Sequence, residues 1–363
     1  MKKILYFVSG HGFGHAIRSA LVVRELFKLG IRSEIVSSIP KEIFDSKLKS
    51  IDYGYHRGLT DVGVVQSDAI TSDIPATYTN WMKLLDEQTE WIANYFAFCE
   101  YIKPSAIVCD IVPFAIPLAR KAALPSILVT SFTWDEILKF YSDDDSRFEK
   151  LSADLKKIYS DVTTQISTPL SFGLSERGET LQVPLIGSRA ELGENEIRKN
   201  LMLDDRPAFL VSFGGLGLES IGRLRLEEMD EYQFLFLSDR TERKGNIFTF
   251  DNSQVAHEEL VKVSRAVITK PGYGISAECI LNKTGMIYTS RGKFAEYEPL
   301  VNELKDYIPM KFISNEDLFS GALRPLLCEE MEFTSDLQAD SGKGAEQAAA
   351  IIAGKAAKYS GTL

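Results

Sequence analysis

Unbroken apolar runs alternate, through the first half of the chain, with stretches whose apolar residues recur every three or four positions. Ile4-Leu5-Tyr6-Phe7-Val8 is the first run. From Gly14 to Leu29, residues Ile17, Leu21, Val22, Leu26 and Leu29 then mark one face of a helix, and Gly30 follows where a helix C-cap glycine belongs. Ser33 to Ser38 predicts a second strand, and Thr79 to Tyr101 one long amphipathic helix. Ala106 to Cys109 reads as a buried strand ending at Asp110. A helix over Val112 to Ala122, with Pro113 in its first turn, and a strand over Ser126 to Val129 come next. Strands that are apolar on both sides, separated by helices, predict a parallel sheet covered on both faces.

The pattern restarts near residue 207. Pro207 to Val211, Phe234 to Leu237, Ala266 to Ile268 and Met286 to Tyr288 predict strands with helical stretches between them. Val183 to Arg206 is the expected link, with a short strand, Gly187 and a polar helix around Glu194 to Leu201. The alanine-rich tail, Gly344 to Lys358, predicts a helix. A chain of 363 residues exceeds what one core usually serves. The expected architecture is α/β, with two doubly wound, Rossmann-like parallel-sheet domains facing a cleft. They span residues 1–190 and 191–363, with return of the C-terminal helix to the first domain as the variant arrangement.

Composition narrows the classes. The apolar fraction is 45% and the charged fraction 25%, as in soluble globular proteins. A net charge of −10 argues against a broad nucleic-acid or anionic-membrane surface, and no apolar run is long enough to cross a bilayer. Cys99, Cys109, Cys279 and Cys328 lack Cys-x-x-Cys spacing, so a reducing, cytoplasmic setting is expected. Asp143, Asp144 and Asp145 invite comparison with a metal-binding Asp-x-Asp pair, but consecutive acids in a polar stretch read as a solvated loop. No metal and no cofactor are expected.

Glycine-rich turns follow three of the strands: Ser9-Gly10-His11-Gly12-Phe13-Gly14-His15, Ser212-Phe213-Gly214-Gly215-Leu216-Gly217 and Thr269-Lys270-Pro271-Gly272-Tyr273-Gly274. Where a helix starts after such a turn, its backbone N–H groups and partial positive charge suit an anion. A dinucleotide site would need Gly-x-Gly-x-x-Gly and an acid closing the second strand. Here His15 takes the third glycine position and the second strand ends in Ser37-Ser38, so that reading fails.

Four segments, Ser9 to Arg18, Asp110 to Pro113, Ser212 to Gly215 and Thr269 to Tyr297, make the chain resemble nucleotide-sugar glycosyltransferases of the GT-B type. It is similar to glycosyltransferase family 28 and to the transferase-like N-terminal region of plant L-arabinokinases. A sugar-kinase domain would have to follow Leu363, so kinase activity is not implied. The resemblance implies a hexosyl or N-acetylhexosaminyl transferase that uses a nucleotide-sugar donor, UDP-linked by preference, and a hydroxyl acceptor. In the second half, Ser212, Gly214, Gly215, Gly272, Tyr273 and Gly274 would meet the diphosphate, Glu278 would hold the ribose hydroxyls, and Lys270 and Arg291 would balance phosphate charge. Glu296 matches the first position of the family's sugar-binding pair, whereas Tyr297 replaces the usual glutamine and leaves the donor sugar open. Helix capping competes as the role of Glu296.

In the first half, Gly12 and Gly14 would approach the donor. His11 or His15 would take the acceptor proton, and Asp110 at the strand end would orient the imidazole. Spacing does not separate the two histidines; His15 lies nearer the helix start. His56 and His257 have no companion ligands and read as structural or surface residues. Tyr53-Gly54-Tyr55 and the stretch from Gly63 to Trp81 are loop-rich, as an acceptor site or as loop packing. Two rivals are a nucleotide-sugar 2-epimerase, which needs several acids around the sugar where this half offers chiefly Asp110, and a non-catalytic nucleotide-sugar-binding module. No nucleic-acid partner is expected, membrane contact has no basic amphipathic helix behind it, and oligomeric state is unreadable.

Overall fold

The computed structural model describes residues 1–66, 72–213, 224–334 and 338–358. Contacts divide the chain into two compact units, Met1–Gly187 together with the C-terminal segment from Ser341, and Ser188–Asp340. Each is α/β.

The first unit is a parallel sheet of seven strands. β1 (Lys2–Val8), β2 (Ile31–Ser37), β3 (Gly54–Arg57), β4 (Ile107–Asp110), β5 (Ser126–Thr130), β6 (Thr164–Ser167) and β7 (Glu179–Gln182) lie in the order β3-β2-β1-β4-β5-β6-β7. Ile4 to Val8 are fully buried, so the apolar runs are the sheet centre. Chain order reverses between β1 and β4, whose registers bring Val8 beside Asp110. Such a switch point opens a crevice at the strand C-termini.

The second unit repeats the plan. β8 (Ala208–Ser212), β9 (Gln233–Ser238), β10 (Glu242–Lys244), β11 (Ile247–Asp251), β12 (Ala266–Thr269), β13 (Gly285–Tyr288) and β14 (Met310–Phe312) lie in the order β10-β11-β9-β8-β12-β13-β14. Only β10 runs antiparallel to its neighbour among the described strands. The order reverses between β8 and β12, where Ser212 stands beside Thr269.

Three expectations change. The helix over Thr79 to Tyr101 is two, Ile74–Asp86 and Gln88–Ile102. Trp81 and Trp91 are ten residues apart, about 80° off register on one straight helix. Breaking at Glu87 lets the Trp81 indole donate to Gly63 O (2.8 Å) and the Trp91 indole to Leu59 O (2.9 Å). Tyr53-Gly54-Tyr55 is not a loop but runs into the edge strand β3. There the Tyr53 hydroxyl donates to Asp45 (2.6 Å) and the Tyr55 hydroxyl to Ile39 O (2.5 Å), which is packing. The C-terminal helix Gly344–Lys358 belongs to the first unit, so the second ends at Asp340 rather than 363. Ala348, Ala349, Ile352 and Ala356 are fully buried in the core cluster that also holds Leu21, Val22 and Leu26. Among the described residues, no helix is long and apolar enough to cross a membrane.

Candidate functional site

The strand-to-helix turn after β1 is built for one conformation. Gly12 has φ +92° and ψ 150°, open to glycine but not to L side chains, and precedes the helix Phe13–Lys28. Gly12 and Gly14 are exposed, whereas His15, one turn in, is buried. Among the described residues no side chain caps this helix, and its first turn holds no acid. His15 Nδ1 lies 2.8 Å from Asp110 Oδ1, with side-chain exposures of 10% and 0%.

Asp110 is crowded with donors. Arg18 gives its carboxylate two, Nε to Oδ2 (2.9 Å) and Nη2 to Oδ1 (2.6 Å), and the Ser19 hydroxyl adds a third at Oδ2 (3.1 Å). With His15 this makes four, the full acceptor capacity of a carboxylate. Burial alone would push the Asp110 carboxyl up, but the Arg18 guanidinium and the His15 ring outweigh it and hold it down to about 2. The ionised carboxylate only accepts, so Nδ1 of a neutral His15 carries the proton and Nε2 is left as the basic nitrogen. Arg18 Nη2, 3.3 Å from the same Nδ1, can only donate and is therefore a cationic neighbour rather than a partner of that N–H. Its Nη1 donates to Ser131 (2.9 Å), which fixes the fork.

A second carboxylate, missed by the sequence reading, holds the turn from the other side. Asp61 Oδ1 accepts from Gly10 N–H (3.0 Å) and Oδ2 from the Trp134 indole (2.8 Å). Burial pushes the Asp61 carboxyl up, against the donors Ser9, Trp134 and Gly10 and the nearby His15. Both of its oxygens hold side chains and backbone of this region, which makes it a clamp on the loop. His11 rests edge-on against Trp134, with ring centroids 5.2 Å apart. Gly63, at φ +68°, lets the chain pass under the His11 ring, which a Cβ there would strike.

In the second unit, Lys270 follows β12 and Gly272 is the N-cap of the helix Tyr273–Asn282, so Tyr273 and Gly274 open that helix. Among the described residues no side chain caps it and its first turn holds no acid. Gly272 is extended (φ −160°), a shape any residue adopts. A Cβ there would sit in ordinary contact with Arg291 Nη1, 3.6 Å away. Arg291 donates from the same nitrogen to Pro271 O (3.1 Å) and Glu296 Oε1 (2.9 Å), and covers the Phe294 ring at 4.2 Å. Arg291 and Glu296 therefore meet at the Gly272 turn. Glu296 does sit at the N-cap of the helix Tyr297–Leu304, but its side chain pairs with Arg291 instead of capping.

Glu278, in the second turn of Tyr273–Asn282, is reached by His257, for which the sequence offered a structural or surface role and no companion ligands. His257 Nδ1 lies 2.6 Å from Glu278 Oε2, and His257 Nε2 lies 3.0 Å from Ser212 Oγ at the end of β8. His257 thus has two polar companions where none was expected, and a structural role is consistent with them. Ser212, His257 and Glu278 are 45 and 21 residues apart in sequence, so no local spacing signals the contact. Gly214 and Gly215 lie outside the described residues. Two expectations of bland roles stand: His56 bonds Glu34 Oε2 (2.9 Å), and Asp145 pairs at the surface with Arg147 (2.6 Å).

Residues 2–154 match a family model described as glycosyl transferase family 1. L-arabinokinase of Arabidopsis thaliana is 27% identical over 336 residues, 89% of this chain but only 31% of that protein, so the chain spans about a third of its length. Among solved structures, Phytolacca americana UGT2, complexed with UDP-2fluoro-glucose and pterostilbene, superposes with a TM-score of 0.62. It is 13% identical, with 99% of this chain and 95% of that one covered. The calicheamicin glycosyltransferase CalG4 gives 0.63 at 14% identity, covering 99% and 95%. The chain therefore has the fold of the GT-B glycosyltransferases, and its N-terminal part is similar in sequence to glycosyl transferase family 1.

Proposed function

We propose that this chain transfers a hexosyl or N-acetylhexosaminyl group from a nucleotide diphosphate donor, UDP-linked by preference, to a hydroxyl acceptor. The observation that carries the reading is the His15–Asp110 pair at the β1/β4 switch point. Asp110 holds the His15 tautomer, and Nε2 takes the acceptor's hydroxyl proton. The acceptor oxygen bonds to the anomeric carbon as the carbon–oxygen bond to the β-phosphate breaks and its electron pair leaves with the diphosphate. One displacement inverts the anomeric configuration. The N-terminal amides of the helix Tyr273–Asn282, with Lys270, stabilise the leaving diphosphate, which makes the transfer metal-independent. Glu278 accepts hydrogen bonds from the ribose hydroxyls. His15 is assigned as the base over His11 because Asp110 orients it, whereas the His11 ring sits against Trp134.

A thermal-shift panel of UDP-, GDP- and dTDP-sugars tests the donor class, with UDP-sugars expected to give the largest stabilisation. Nucleotide binding unchanged in Glu278→Ala overturns the donor assignment.

A further inference from the structure

His257 touches two elements of the second unit at once. It is the first residue of the helix His257–Val263, and its two ring nitrogens reach the end of β8 through Ser212 and the helix Tyr273–Asn282 through Glu278. The bond directions follow from chemistry. An ionised Glu278 carboxylate only accepts, so Nδ1–H donates to Oε2; in the neutral ring Nε2 then accepts from the Ser212 hydroxyl. Both nitrogens being committed, this histidine is ill-suited to proton transfer and well-suited to fixing the plane of a carboxylate.

The rest of the surroundings hold the carboxylate's backbone still. Asn282 Nδ2 donates to Glu278 O (2.8 Å) and Ser188 O (3.1 Å), while its Oδ1 accepts from Ala190 N–H (2.9 Å). The relay is not sealed, since the His257 side chain keeps 24% of its exposure. A chain of three polar side chains that ends on a carboxylate at a switch point, beside a helix N-terminus, is placed to serve a ligand.

We propose that His257 is a positioning residue for nucleotide recognition: held between Ser212 and Glu278, it sets the plane in which the Glu278 carboxylate meets the ribose hydroxyls. This inference rests on the reading of Glu278 as the ribose-binding group. It predicts that His257 governs discrimination of ribose from 2′-deoxyribose without itself touching the sugar.

Calorimetric binding of UDP and 2′-deoxy-UDP to the full chain tests it. Wild type is expected to favour UDP by about tenfold or more, as for hydrogen bonds to a charged group. Glu278→Ala brings the ratio to about one. His257→Ala weakens UDP about tenfold and brings the ratio to within about threefold. His257→Asn, whose amide takes the place of Nδ1–H, restores most of the preference, whereas His257→Gln, which reaches toward the Nε2 position, does not. Circular dichroism checks that each variant is folded, and the Asn and Gln pair decides the matter if the Ala variant is not. A His257→Ala or His257→Gln protein that discriminates like wild type, while Glu278→Ala does not, overturns the inference alone. Failure of wild type to bind either nucleotide, or wild-type discrimination in Glu278→Ala, overturns the ribose assignment beneath it.

Discussion

The two units carry the same device, a histidine whose Nδ1 meets a carboxylate near a switch point, and use it differently. His15 and Asp110 are 2.8 Å apart and nearly sealed; His257 and Glu278 are 2.6 Å apart and partly open. Asp110 also takes both arms of Arg18 and the Ser19 hydroxyl, so its charge is already compensated and it serves as a fixed orienter. Among the described residues, the hydrogen bonds of His15 use Nδ1, which assigns proton acceptance to Nε2. In His257 both nitrogens are engaged, by Glu278 and Ser212. On the proposed reading, a like pair of residues serves as a base in one unit and as a brace in the other, and the difference lies in what holds the far nitrogen.

The largest way to break this comparison is to remove the orienter. Asp110→Asn places an amide N–H₂ against donors and leaves Arg18 buried without its counter-charge, at an expected cost of about 3–5 kcal/mol in urea unfolding. A loss under 1 kcal/mol would mean that Arg18 is not held by Asp110. Next is His15→Ala, expected to lower turnover by about 10²–10⁴ while leaving nucleotide affinity within about twofold. Turnover close to wild type would move the base elsewhere, with His11 the next to test.

Smaller effects sharpen the contrast between carboxylates. Asp61→Asn keeps one acceptor and turns the other toward a donor, so about 1–2 kcal/mol is expected, well below Asp110→Asn. Their acid behaviour has opposite sign. Asp110, lowered from 3.8 to about 2, contributes stability that is present above about pH 4 and lost as pH falls toward 2. Asp61 is raised, so its contribution is full below its ordinary value of 3.8 and is lost as pH rises through its folded value. Chemical denaturation from pH 6 to 2 should therefore show Asp110→Asn flattening the fall below about pH 4 and Asp61→Asn, though less stable than wild type, removing the opposite slope above pH 3.8. Parallel curves for the two variants would refute the assignment.

Sequence made the central elements legible because buried parallel strands are uninterrupted apolar runs and β1, β4, β8 and β12 carry them. It also marked Asp110 and Glu278, each at a fixed offset from a strand end or a glycine turn. The edge strands β3, β7, β10 and β14 are short and partly exposed, so no unbroken apolar run marks them. The helix Arg147–Ser160 hid behind the acidic run that precedes it, though Phe148, Leu151, Leu155 and Tyr159 make its buried face. Arg18 stood inside the recognised turn motif, yet nothing local shows that a charged residue folds inward; its partner is 92 residues away. Asp61 and His257 were illegible for the same reason, because each acquires its role only from side chains delivered by other elements.

The division of labour between the two histidines is tested most directly by one paired measurement on His15→Asn. UDP affinity is measured by calorimetry, and UDP release by turnover of the UDP-sugar that most raises the melting temperature. Affinity within about twofold of wild type with turnover at least about 100-fold lower is the predicted result. Turnover within about twofold of wild type at unchanged affinity would contradict it.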